Sequence, residues 1–595
     1  MKISFRPSRK ILFWLVPLLL FLLAFAVSRG PVDALWLNAP GWSRARLVGN
    51  TQAEQAVPIA LDDAGQIYLL LFPADAPSGS AHVVALNRQA EVIWERALEP
   101  SITQPKSPQL LWDGKAIELF WLSDQHLYTA RLDTAGTILV PAKMLSGDTT
   151  VDSYTTAADT QGRVAVWYGG SRQAPGVYAL ATGDLSGPAA LVDPAGFQPV
   201  LRFDSAGTLH AIWVADSASE QRATDVYYAA YPDGVYRAGP RGRLMGLAEH
   251  RAGIDLNGPW FGLDRQYGYL IWNVMVRTSF FTQYVSFPLD KTAQLSEVRP
   301  VTVPGSAVLA YTQPPSAGFE AGPRVSLVSD QSRNSASPSE ITINPAAEQE
   351  LVLASETQVD YKSHQVIGQA STLFFQDGAP TAYQLLSFTP NAAFTPAIIS
   401  DRARYLYVTW REIRTPGFNV YFASTAPDIK QTLRSLTIGD ISRITVDTVF
   451  GLLTGAIFSP LTAVLWLIAP LLLLAPTWVI RRGDGRLARW GTPISLALAV
   501  GAYWVSKLVT FERDLTYVPF SEWIPLIPSW LAIPLRFGAP IIIFVVAIRT
   551  AWYYTYRKER RSAALFMLVY AGVDSLMTMA IYGGLLLGTF GPHQS

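Results

Sequence analysis

Hydrophobic and polar positions follow three different patterns along the chain. Residues 11–27 form a run without a charged side chain, and longer runs of the same kind return after residue 447. Between them, short stretches alternate apolar and polar positions, which is the period of a β-strand with one buried face. The pattern predicts an N-terminal apolar segment over residues 1–29, a β-rich domain over 30–435 and a C-terminal helical domain over 436–595.

The N-terminal apolar run has two interpretations. Its 17 residues follow Lys2, Arg6, Arg9 and Lys10 and are near the lower limit for a helix that crosses a bilayer. The run is a transmembrane signal anchor, or a signal peptide cleaved after the Ala-Phe-Ala sequence at 24–26. Both interpretations export the β-rich domain.

The C-terminal apolar runs predict about four transmembrane helices, at 448–480, 491–511, 529–552 and 563–589. The first run has 33 residues without a charge and contains Pro460, Pro470 and Pro476. As a helix it would be roughly 50 Å long, against a hydrocarbon core of about 30 Å. It forms either one tilted, kinked helix or a short re-entrant piece followed by a span.

Basic residues decide the orientation of these helices, because Lys and Arg concentrate in cytoplasmic loops. Such residues cluster at 1–10, 481–490 and 549–561, whereas the loop at 512–528 has one arginine and three acids. We therefore expect a multi-pass protein of the cell membrane. Its N-terminus is cytoplasmic, and its β-rich domain and C-terminus lie outside.

The charge distribution and the lack of cysteine exclude some binding partners and some kinds of active site. The formal net charge is +1, but the three basic segments carry 13 Lys/Arg and two acids, which leaves about −10 for the rest. That balance argues against nucleic acid as a partner of the β-rich domain. Cysteine is absent, so disulfides, thiolate metal sites and iron–sulfur clusters are excluded, and the composition fits an exported prokaryotic protein.

No motif predicts a cofactor or a metal. The chain has no glycine-rich phosphate loop, no G-x-S-x-G sequence and no D-x-D-x-D-G calcium loop. The six histidines show no metal-ligand spacing. We therefore expect neither a cofactor nor a metal. The histidines are His82, His126, His210, His250, His364 and His593.

A repeated motif organises the β-rich domain. Near Pro199 the chain reads PVLRFDSAGTLHAIW and then VYYA, and near Pro396 it reads PAIISDRARYLYVTW and then VYFA. Both copies have an aspartate five residues after the proline and a tryptophan fourteen residues after it. The aspartate begins a tight turn, and the alternating run after it is typical of a packed strand. Weaker copies lie near Pro58, Pro108, Asp159 and Pro259.

The spacing of this motif predicts a β-propeller. Successive turn aspartates are separated by 51, 46, 45, 60 and 137 residues, and a four-stranded blade takes about 45–50. The last gap holds one or two further blades and a polar insertion at 331–350. We expect an all-β propeller of about seven blades, with six or eight as alternatives, joined to an α-helical transmembrane bundle. The aspartates are Asp62, Asp113, Asp159, Asp204, Asp264 and Asp401.

The motif resembles the blade repeat of sialidase-type and BNR-repeat propellers, in which a turn with Asp and Gly leads into a strand that ends in an aromatic residue. The resemblance covers roughly residues 50–425. The copy with Asp204, Gly207 and Thr208 follows that repeat but lacks a Ser or Thr two positions before the aspartate. In the last copy Arg404 replaces the glycine. The resemblance implies the architecture, and the catalytic motif is not matched.

A sialidase of that type needs three arginines around the substrate carboxylate, a Tyr–Glu pair and an acidic proton donor. The candidates here are Arg202, Arg222, Arg411 and Arg414, with Tyr227 and Tyr421, and their spacing does not show that they converge. Large aromatics at one repeated strand position pack between blades, which we favour, or form a ring that stacks on sugars. These aromatics are Trp121, Trp167, Trp213, Trp272 and Trp410.

A few ionisable residues lie at depth in the predicted spans. Asp574 lies close to the middle of the last span, and Lys507 and Arg536 lie in the outer halves of theirs. An isolated charge at such depth is costly. We predict an Asp574–Arg536 or an Asp574–Lys507 ion pair. The alternative is that both cations reach outward to the interface and Asp574 is neutral.

These patterns favour a protein that presents an extracytoplasmic propeller for binding or scaffolding rather than an enzyme. Four spans exceed what anchoring requires, so we expect membrane protein partner subunits in addition to the lipid bilayer, as for an accessory subunit of a larger complex. The propeller face would take a glycan or a protein. The alternative is a membrane-tethered sialidase-like glycoside hydrolase.

Overall fold

The computed structural model describes most of the β-rich and helical regions. The described residues are 34–35, 41–73, 76, 80–98, 105–218, 223–239, 241–248, 254–276, 279–304, 325–326, 335–345, 350–362, 365–387, 389, 391–433, 435, 437–480, 491–515, 519, 529–556 and 562–586. The N-terminal segment 1–29, Arg222, three of the histidines and the two C-terminal basic clusters lie outside these residues or at their edges. The chain divides into two compact units, one of Asp33–Tyr361 with Val366–Ser435, and one that contains Leu436–Ser595.

Seven antiparallel sheets form the first unit, and they are the blades of a β-propeller. The first strands of successive blades contact one another in a closed ring, so they are the innermost strands. The strands of blades 1 to 4 are, from the centre outward, β3 Ile59–Leu61, β4 Ile67–Leu71, β5 His82–Leu86 and β6 Val92–Ala97; β7 Lys106–Trp112, β8 Ile117–Ser123, β9 His126–Leu132 and β10 Ile138–Met144; β11 Ser153–Ala158, β12 Val164–Gly169, β13 Val177–Ala179 and β14 Ala190–Asp193; β15 Gly196–Phe203, β16 Leu209–Asp216, β17 Ala223–Tyr231 and β18 Gly242–Ala248.

Blades 5 to 7 continue the ring, and the chain's first strands close it. Their strands are β19 Ile254–Leu263, β20 Tyr267–Val276, β21 Ser279–Pro288 and β22 Arg299–Pro300; β26 Ser339–Ile343, β27 Leu351–Lys362, β28 Gln365–Gln376, β29 Ala379–Leu385 and β24 Val325–Ser326; β30 Ala393–Ser400, β31 Leu406–Ile413, β32 Phe418–Ser424, β2 Ala45–Thr51 and β1 Ala34–Leu35. A separate ribbon pairs β23 Val303–Pro304 with β25 Ser335–Ala336. Blade 7 is thus completed by β2, which pairs with β32 and joins the two ends of the propeller chain.

The aspartate of the repeat caps the turn between the first and second strands of its blade. Asp204 Oδ1 accepts hydrogen bonds from the backbone N–H groups of Ala206 and Thr208, at 2.9 and 2.8 Å. The second carboxylate oxygen of several of these aspartates accepts from a tyrosine on the next strand, as in Asp62 with Tyr68 at 3.0 Å. These contacts hold a sharp reversal in place, which explains why the motif recurs once per blade.

The gap of 137 residues in the repeat contains one blade, blade 6. The segment 331–350, which we predicted as a polar insertion, includes the innermost strand β26, whose Ile341 and Ile343 are buried. Asn344 stands where the other blades have the turn aspartate, and its N–H donates to the carbonyl of Val352 at 2.9 Å. The sequence of this blade therefore departs from the motif although its topology does not.

The repeated tryptophans pack between blades, as the sequence pattern favoured. All five have at most 4% of their surface exposed. Trp167 and Trp213 belong to one apolar cluster shared by blades 3 and 4. In three blades a third-strand tyrosine stacks on the tryptophan of the second strand, for example Tyr421 on Trp410 with ring centroids 6.1 Å apart. Close aromatic packing of this kind fills the wedge between neighbouring sheets.

A short helix, α1 Pro427–Leu433, follows the last propeller strand, and the described residues of the second unit contain four long helices. They are α2 Ile438–Ile480, α3 Gly491–Leu515, α4 Ser529–Tyr556 and α5 Ala563–Leu586. Helix α2 is continuous over 43 residues, so the first apolar run forms one helix rather than a re-entrant piece and a span. It packs closely on α5, where the backbone at Gly455 leaves no room for a side chain against the carbonyl of Met579.

Three of the four long helices contain a segment that is long and apolar enough to cross a membrane. The segments are Ile438–Ala475, Pro534–Thr555 and Ala563–Gly583. The fourth helix, α3, has a shorter apolar stretch, Ile494–Thr510. Many of their large apolar side chains are exposed, such as Leu461, Val464 and Ile541 at more than 60%. Composition and exposure together favour association with a membrane.

Candidate functional site

The innermost strands carry a bulge at the end opposite the aspartate turn. Register shifts occur at this position in blades 2, 4, 5, 6 and 7. In four of these blades the bulged residue is not glycine and has a positive φ, a conformation that L-residues seldom adopt. These residues are Ser107, Gln198, Glu340 and Thr395. The bulges lie at the same end of each of these five blades, so they mark one rim of the propeller, called here the bulge rim.

In each bulged blade, we compare the residue of the second strand that pairs with the last residue before the bulge of the first strand. In blades 2 and 4 this residue is aliphatic, Leu122 and Val214. In blades 5, 6 and 7 it is polar: Asn273, Glu356 and Arg411. All three polar residues are buried. The bulge rim is therefore polar over one arc, the three neighbouring blades 5 to 7, which we call the polar arc.

Arg411 joins blade 7 to the start of the propeller chain. Its Nη2 donates to the carbonyl of Glu54 at 2.5 Å, its Nη1 donates to the carbonyl of Ala53, and its Nε donates to Thr395 Oγ1 at 2.6 Å. The guanidinium also lies 4.3 Å from the centre of the Phe418 ring. Burial lowers the pKa of Arg411 to about 10, still well above neutral pH. The charge thus fastens the segment after β2 onto blade 7.

Two carboxyl groups meet on the face of blade 6 that is turned toward blade 7. Glu340 is exposed at the tip of its bulge, and its Oε2 accepts from the N–H of Thr395 at 2.6 Å. Glu356 is 7% exposed, and its Oε1 accepts from Gln358 Nε2 at 2.9 Å. Burial and the nearby Glu340 raise the pKa of Glu356 to about 8. Glu356 therefore binds a proton more readily than an exposed glutamate does.

A glycine makes room for the buried carboxyl group. A Cβ on Gly368 would lie 2.1 Å from Glu356 Oε1, so no other residue fits there without moving that carboxyl group. Glycine in the interior of a strand weakens it and commonly marks a close approach. The buried position of Glu356 thus depends on a residue of the neighbouring strand β28.

Asn273 faces the interface between blades 5 and 6. Tyr269 and Ile271, at alternate positions of the same strand, pack in the apolar cluster that these two blades share, so Asn273 points the same way. It is 1% exposed, and neither its Oδ1 nor its Nδ2 has a hydrogen-bond partner among the residues that the structure describes. An unpaired buried amide is costly, and such groups in a native protein need an explanation.

The side of blade 6 that faces Asn273 becomes polar toward the same rim. Ser355 and Thr357 follow Leu353 at alternate positions of β27, and both hydroxyls lie within 2.9 Å of Ser371 Oγ. The three residues are fully buried. The Tyr383 hydroxyl, also buried, has no partner among the described residues. The interface of blades 5 and 6 thus changes from an apolar core to a row of hydrogen-bonding groups.

Of the candidate arginines that the structure describes, Arg202 and Arg411 lie far from each other. Arg202 pairs with His210 near the aspartate turn, whereas Arg411 pairs with Phe394 at the bulge rim, so they lie at opposite ends of their blades. Burial lowers the pKa of Arg202 to about 10. Arg414 is exposed in the loop between β31 and β32. Arg222 lies outside the described residues.

The two candidate tyrosines each stack on a tryptophan of the neighbouring strand. Tyr227 stacks on Trp213 with ring centroids 6.0 Å apart. The Arg241 guanidinium lies 5.4 Å from the centre of the Tyr227 ring. Tyr421 stacks on Trp410. Within the described ranges, no three His, Asp or Glu side chains are grouped so as to hold a metal ion.

In the helical unit the structure brings two of the three candidate ionisable residues together. Lys507 Nζ lies 2.7 Å from Asp574 Oδ2, and both side chains are fully buried. Arg536 lies with its guanidinium 5.6 Å from the centre of the adjacent Phe537 ring.

The polar arc escaped the sequence analysis because its members belong to different blades. Asn273 is one polar residue inside an otherwise apolar strand, and Glu340 and Glu356 lie in the blade whose motif is altered. A register alignment of the second strands would have exposed them, because they occupy the position held by Leu122 and Val214 elsewhere.

Comparison with known proteins gives fold-level likeness. No protein-family model matches the chain, and no curated protein matches it. Among solved structures it is similar to polysaccharide lyase Uly1, with a TM-score of 0.41 and 9% identity over 63% of this chain and 90% of that one. It is also similar to a PL25 ulvan lyase bound to -[GlcA(1-4)Rha3S]-, with a TM-score of 0.37 and 8% identity over 66% and 94%. An α-L-arabinanase of Penicillium chrysogenum, complexed with arabinobiose, has a TM-score of 0.28 and 10% identity over 45% and 78%. At these values the likeness assigns no activity to this chain.

Proposed function

We propose that this protein is a β-propeller held at a membrane by its helical unit, and that the propeller binds a glycan or a protein at the polar arc. The membrane location is supported by the long, apolar and largely exposed helices of the second unit. The outward orientation of the propeller is supported by the distribution of Lys and Arg in the loops of the sequence.

The buried amide of Asn273 carries the binding proposal. Its two polar atoms have no partner among the described residues, although the equivalent positions of blades 2 and 4 hold aliphatic side chains that would pack there without cost. Retaining an amide at such a position makes sense if a bound molecule completes its hydrogen bonds. The hydroxyl row of blade 6 faces the same interface and provides further donors and acceptors.

The test compares binding by full-length protein in mild detergent with binding by two variants. The probes are a panel of neutral, acidic and amino-sugar oligosaccharides, read by thermal shift, and proteins that co-purify from the native membrane. We expect Asn273→Leu to lose binding by tenfold or more and the matched Val214→Ile variant to keep it. Equal binding by wild type and Asn273→Leu would contradict a site at this position.

We also propose that the helical unit contacts other membrane subunits. Anchoring a domain requires one helix, whereas this unit has four long helices with exposed apolar faces. Purification of the native protein in mild detergent should yield a complex of more than one polypeptide. A strictly monomeric product at native abundance would argue against this accessory role.

A second candidate function, a glycoside hydrolase, is favoured by one observation. Glu356 holds a proton near neutral pH, which a general acid requires. However, Glu340 lies beside Glu356 and raises its pKa, whereas the two carboxyl groups of glycosidases are held at least about 5 Å apart. We therefore rank hydrolysis below binding. Turnover of fluorogenic glycosides, sialosides included, that disappears in Glu356→Gln would reverse this order.

A further inference from the structure

Helix α3 is the least suited of the four long helices to cross a membrane alone. Its apolar stretch Ile494–Thr510 has 17 residues, whereas a span needs about 20. That stretch also contains Lys507. Beyond it the helix continues through Glu512, Arg513 and Asp514 before it ends at Leu515. Length and charge both disfavour independent insertion of this helix.

Lys507 is surrounded by groups that suit a cation, on its own helix and on α2 and α5. Its Nζ donates to Asp574 Oδ2 and to Thr578 Oγ1 of α5, both at 2.7 Å. The same nitrogen lies 4.8 Å from the centre of the Trp504 ring and 5.7 Å from that of Trp466. These contacts satisfy the ammonium group inside an apolar unit.

The carboxylate is held in turn by α3. Asp574 Oδ2 accepts a second hydrogen bond from Tyr503 OH at 3.0 Å. Tyr503 also packs edge-on against Tyr570 of α5, with centroids 5.1 Å apart. The ion pair therefore lies within a tight contact of two helices, and each helix supplies the charge that the other needs.

The depth of the pair matters as much as its geometry. Asp574 is the twelfth residue of the 21-residue apolar segment Ala563–Gly583, at its middle. A pair at that level places Lys507 near the midplane, although it lies close to the end of its own apolar stretch. Glu512 follows five residues later, about 7.5 Å along the helix and within the half-thickness of about 15 Å. The apolar stretch of α3 is therefore displaced toward one side of the bilayer, and the charged end of the helix lies within the hydrocarbon core.

We infer that α3 is a dependent span, which enters the membrane only by pairing Lys507 with Asp574 of α5. This inference rests on the proposed membrane location of the helical unit and not on ligand binding by the propeller. The two helices are separated in sequence by α4, so the pairing requires that α5 be made before α3 is stably inserted. Asp574 is a positioning residue for α3.

The absence of cysteine allows a direct topology test in the full chain. One probe is Ser521→Cys, between α3 and α4, and a second is Ser186→Cys, an exposed position of the propeller. A membrane-impermeant maleimide is applied to intact spheroplasts and again after permeabilisation. In the otherwise native chain both probes should react before permeabilisation, because α3 then spans.

The same two cysteine probes are then read in three variants of the chain. In Asp574→Leu, we expect the position-521 probe to become accessible only after permeabilisation, while the position-186 probe is unchanged. In the double variant Lys507→Leu with Asp574→Leu, no charge remains unpaired, and access at position 521 should return. Arg536→Leu, which removes a cation of α4 that contacts Phe537, is the matched control and should behave as wild type.

Two results would overturn the dependent span. One is unchanged access at position 521 in Asp574→Leu. The other is a double variant as defective as the single variant, because then the lost charge pair is not the cause. Carbonate extraction of the wild-type chain tests the membrane location separately, and release of the protein would count against the proposed function itself.

Discussion

Replacing Arg411 with leucine tests how the propeller is closed. The guanidinium makes two hydrogen bonds to main-chain carbonyls just after β2, one to Thr395, and a cation–π contact with Phe418. Leucine keeps part of the apolar stem and removes all four contacts. If Arg411 fastens the first propeller strand to the last blade, its loss should loosen β2 more than any other part of the sheet.

The size of the effect follows from the groups left without a donor. Each orphaned buried acceptor costs about 1–3 kcal/mol, and a desolvated cation–π contact contributes about 2 kcal/mol. Glu54 is exposed and Ala53 half-buried, so water can replace part of the loss at the two carbonyls. We therefore expect opening of this edge to become easier by about 2–4 kcal/mol, which is less than the full sum.

Hydrogen exchange of the full-length protein in detergent measures this directly. At about 1.4 kcal/mol per factor of ten, amides of β2 and β32 should exchange about 30- to 1,000-fold faster in Arg411→Leu. Arg414→Leu is the matched control, because this arginine lies three residues on and is exposed. If β2 exchanges at the same rate in both variants, Arg411 does not close the ring and our account of its role is wrong.

Three other results are expected. Glu356 has a folded-state pKa of about 8 against an ordinary 4.5, so the folded state binds this proton more tightly than the unfolded state does. The free energy of unfolding should therefore fall as the pH rises from about 5 to 8, by of the order of 1 kcal/mol per pH unit at most. In denaturant titrations, Glu356→Gln should flatten that slope. Gly368→Ala should destabilise the propeller by about 1–3 kcal/mol by displacing that carboxyl group, whereas Gly187→Ala, with open space around it, should be neutral in the same titrations. Gly455→Ala should lower the thermal stability of the helical unit in detergent, because the Cβ of the alanine would lie 1.8 Å from a main-chain oxygen of α5. Gly501→Ala is the control: no atom lies within 4 Å of the added Cβ, so the thermal stability should be unchanged.

Much of the propeller was predictable because one turn recurs. The Asp-x-x-Gly turn, the alternating strand and the tryptophan are all local in sequence, so each copy could be recognised within about fifteen residues. The seven blades and the interblade packing of Trp213 and Trp410 followed from that periodicity. The long apolar runs similarly predicted helices, since twenty successive apolar residues leave few other structures.

The candidate site was not predictable in the same way. Which residue stands opposite a bulge depends on register, and the bulge itself is a non-local property of two paired strands. Arg411 illustrates the limit: its sequence neighbours show a strand, but its partners Ala53 and Glu54 are more than 350 residues away. Lys507 and Asp574 were recognised as candidates because a charge in an apolar run is visible locally, while the choice of partner required the packed helices.

Blade 6 departs from the repeated sequence motif, and it is also the middle blade of the polar arc. Blade 6 has Asn344 in place of the turn aspartate and Glu340 at the bulge where the other copies have a residue followed by proline. A blade that only had to pack would gain from keeping the pattern that serves the others. Blade 6 instead has buried hydroxyls on the face toward blade 5 and a carboxyl pair on the face toward blade 7. Natural proteins depart from locally consistent rules chiefly where function requires it. The departures of blade 6 from the repeat are therefore best explained by the binding that we propose for the polar arc.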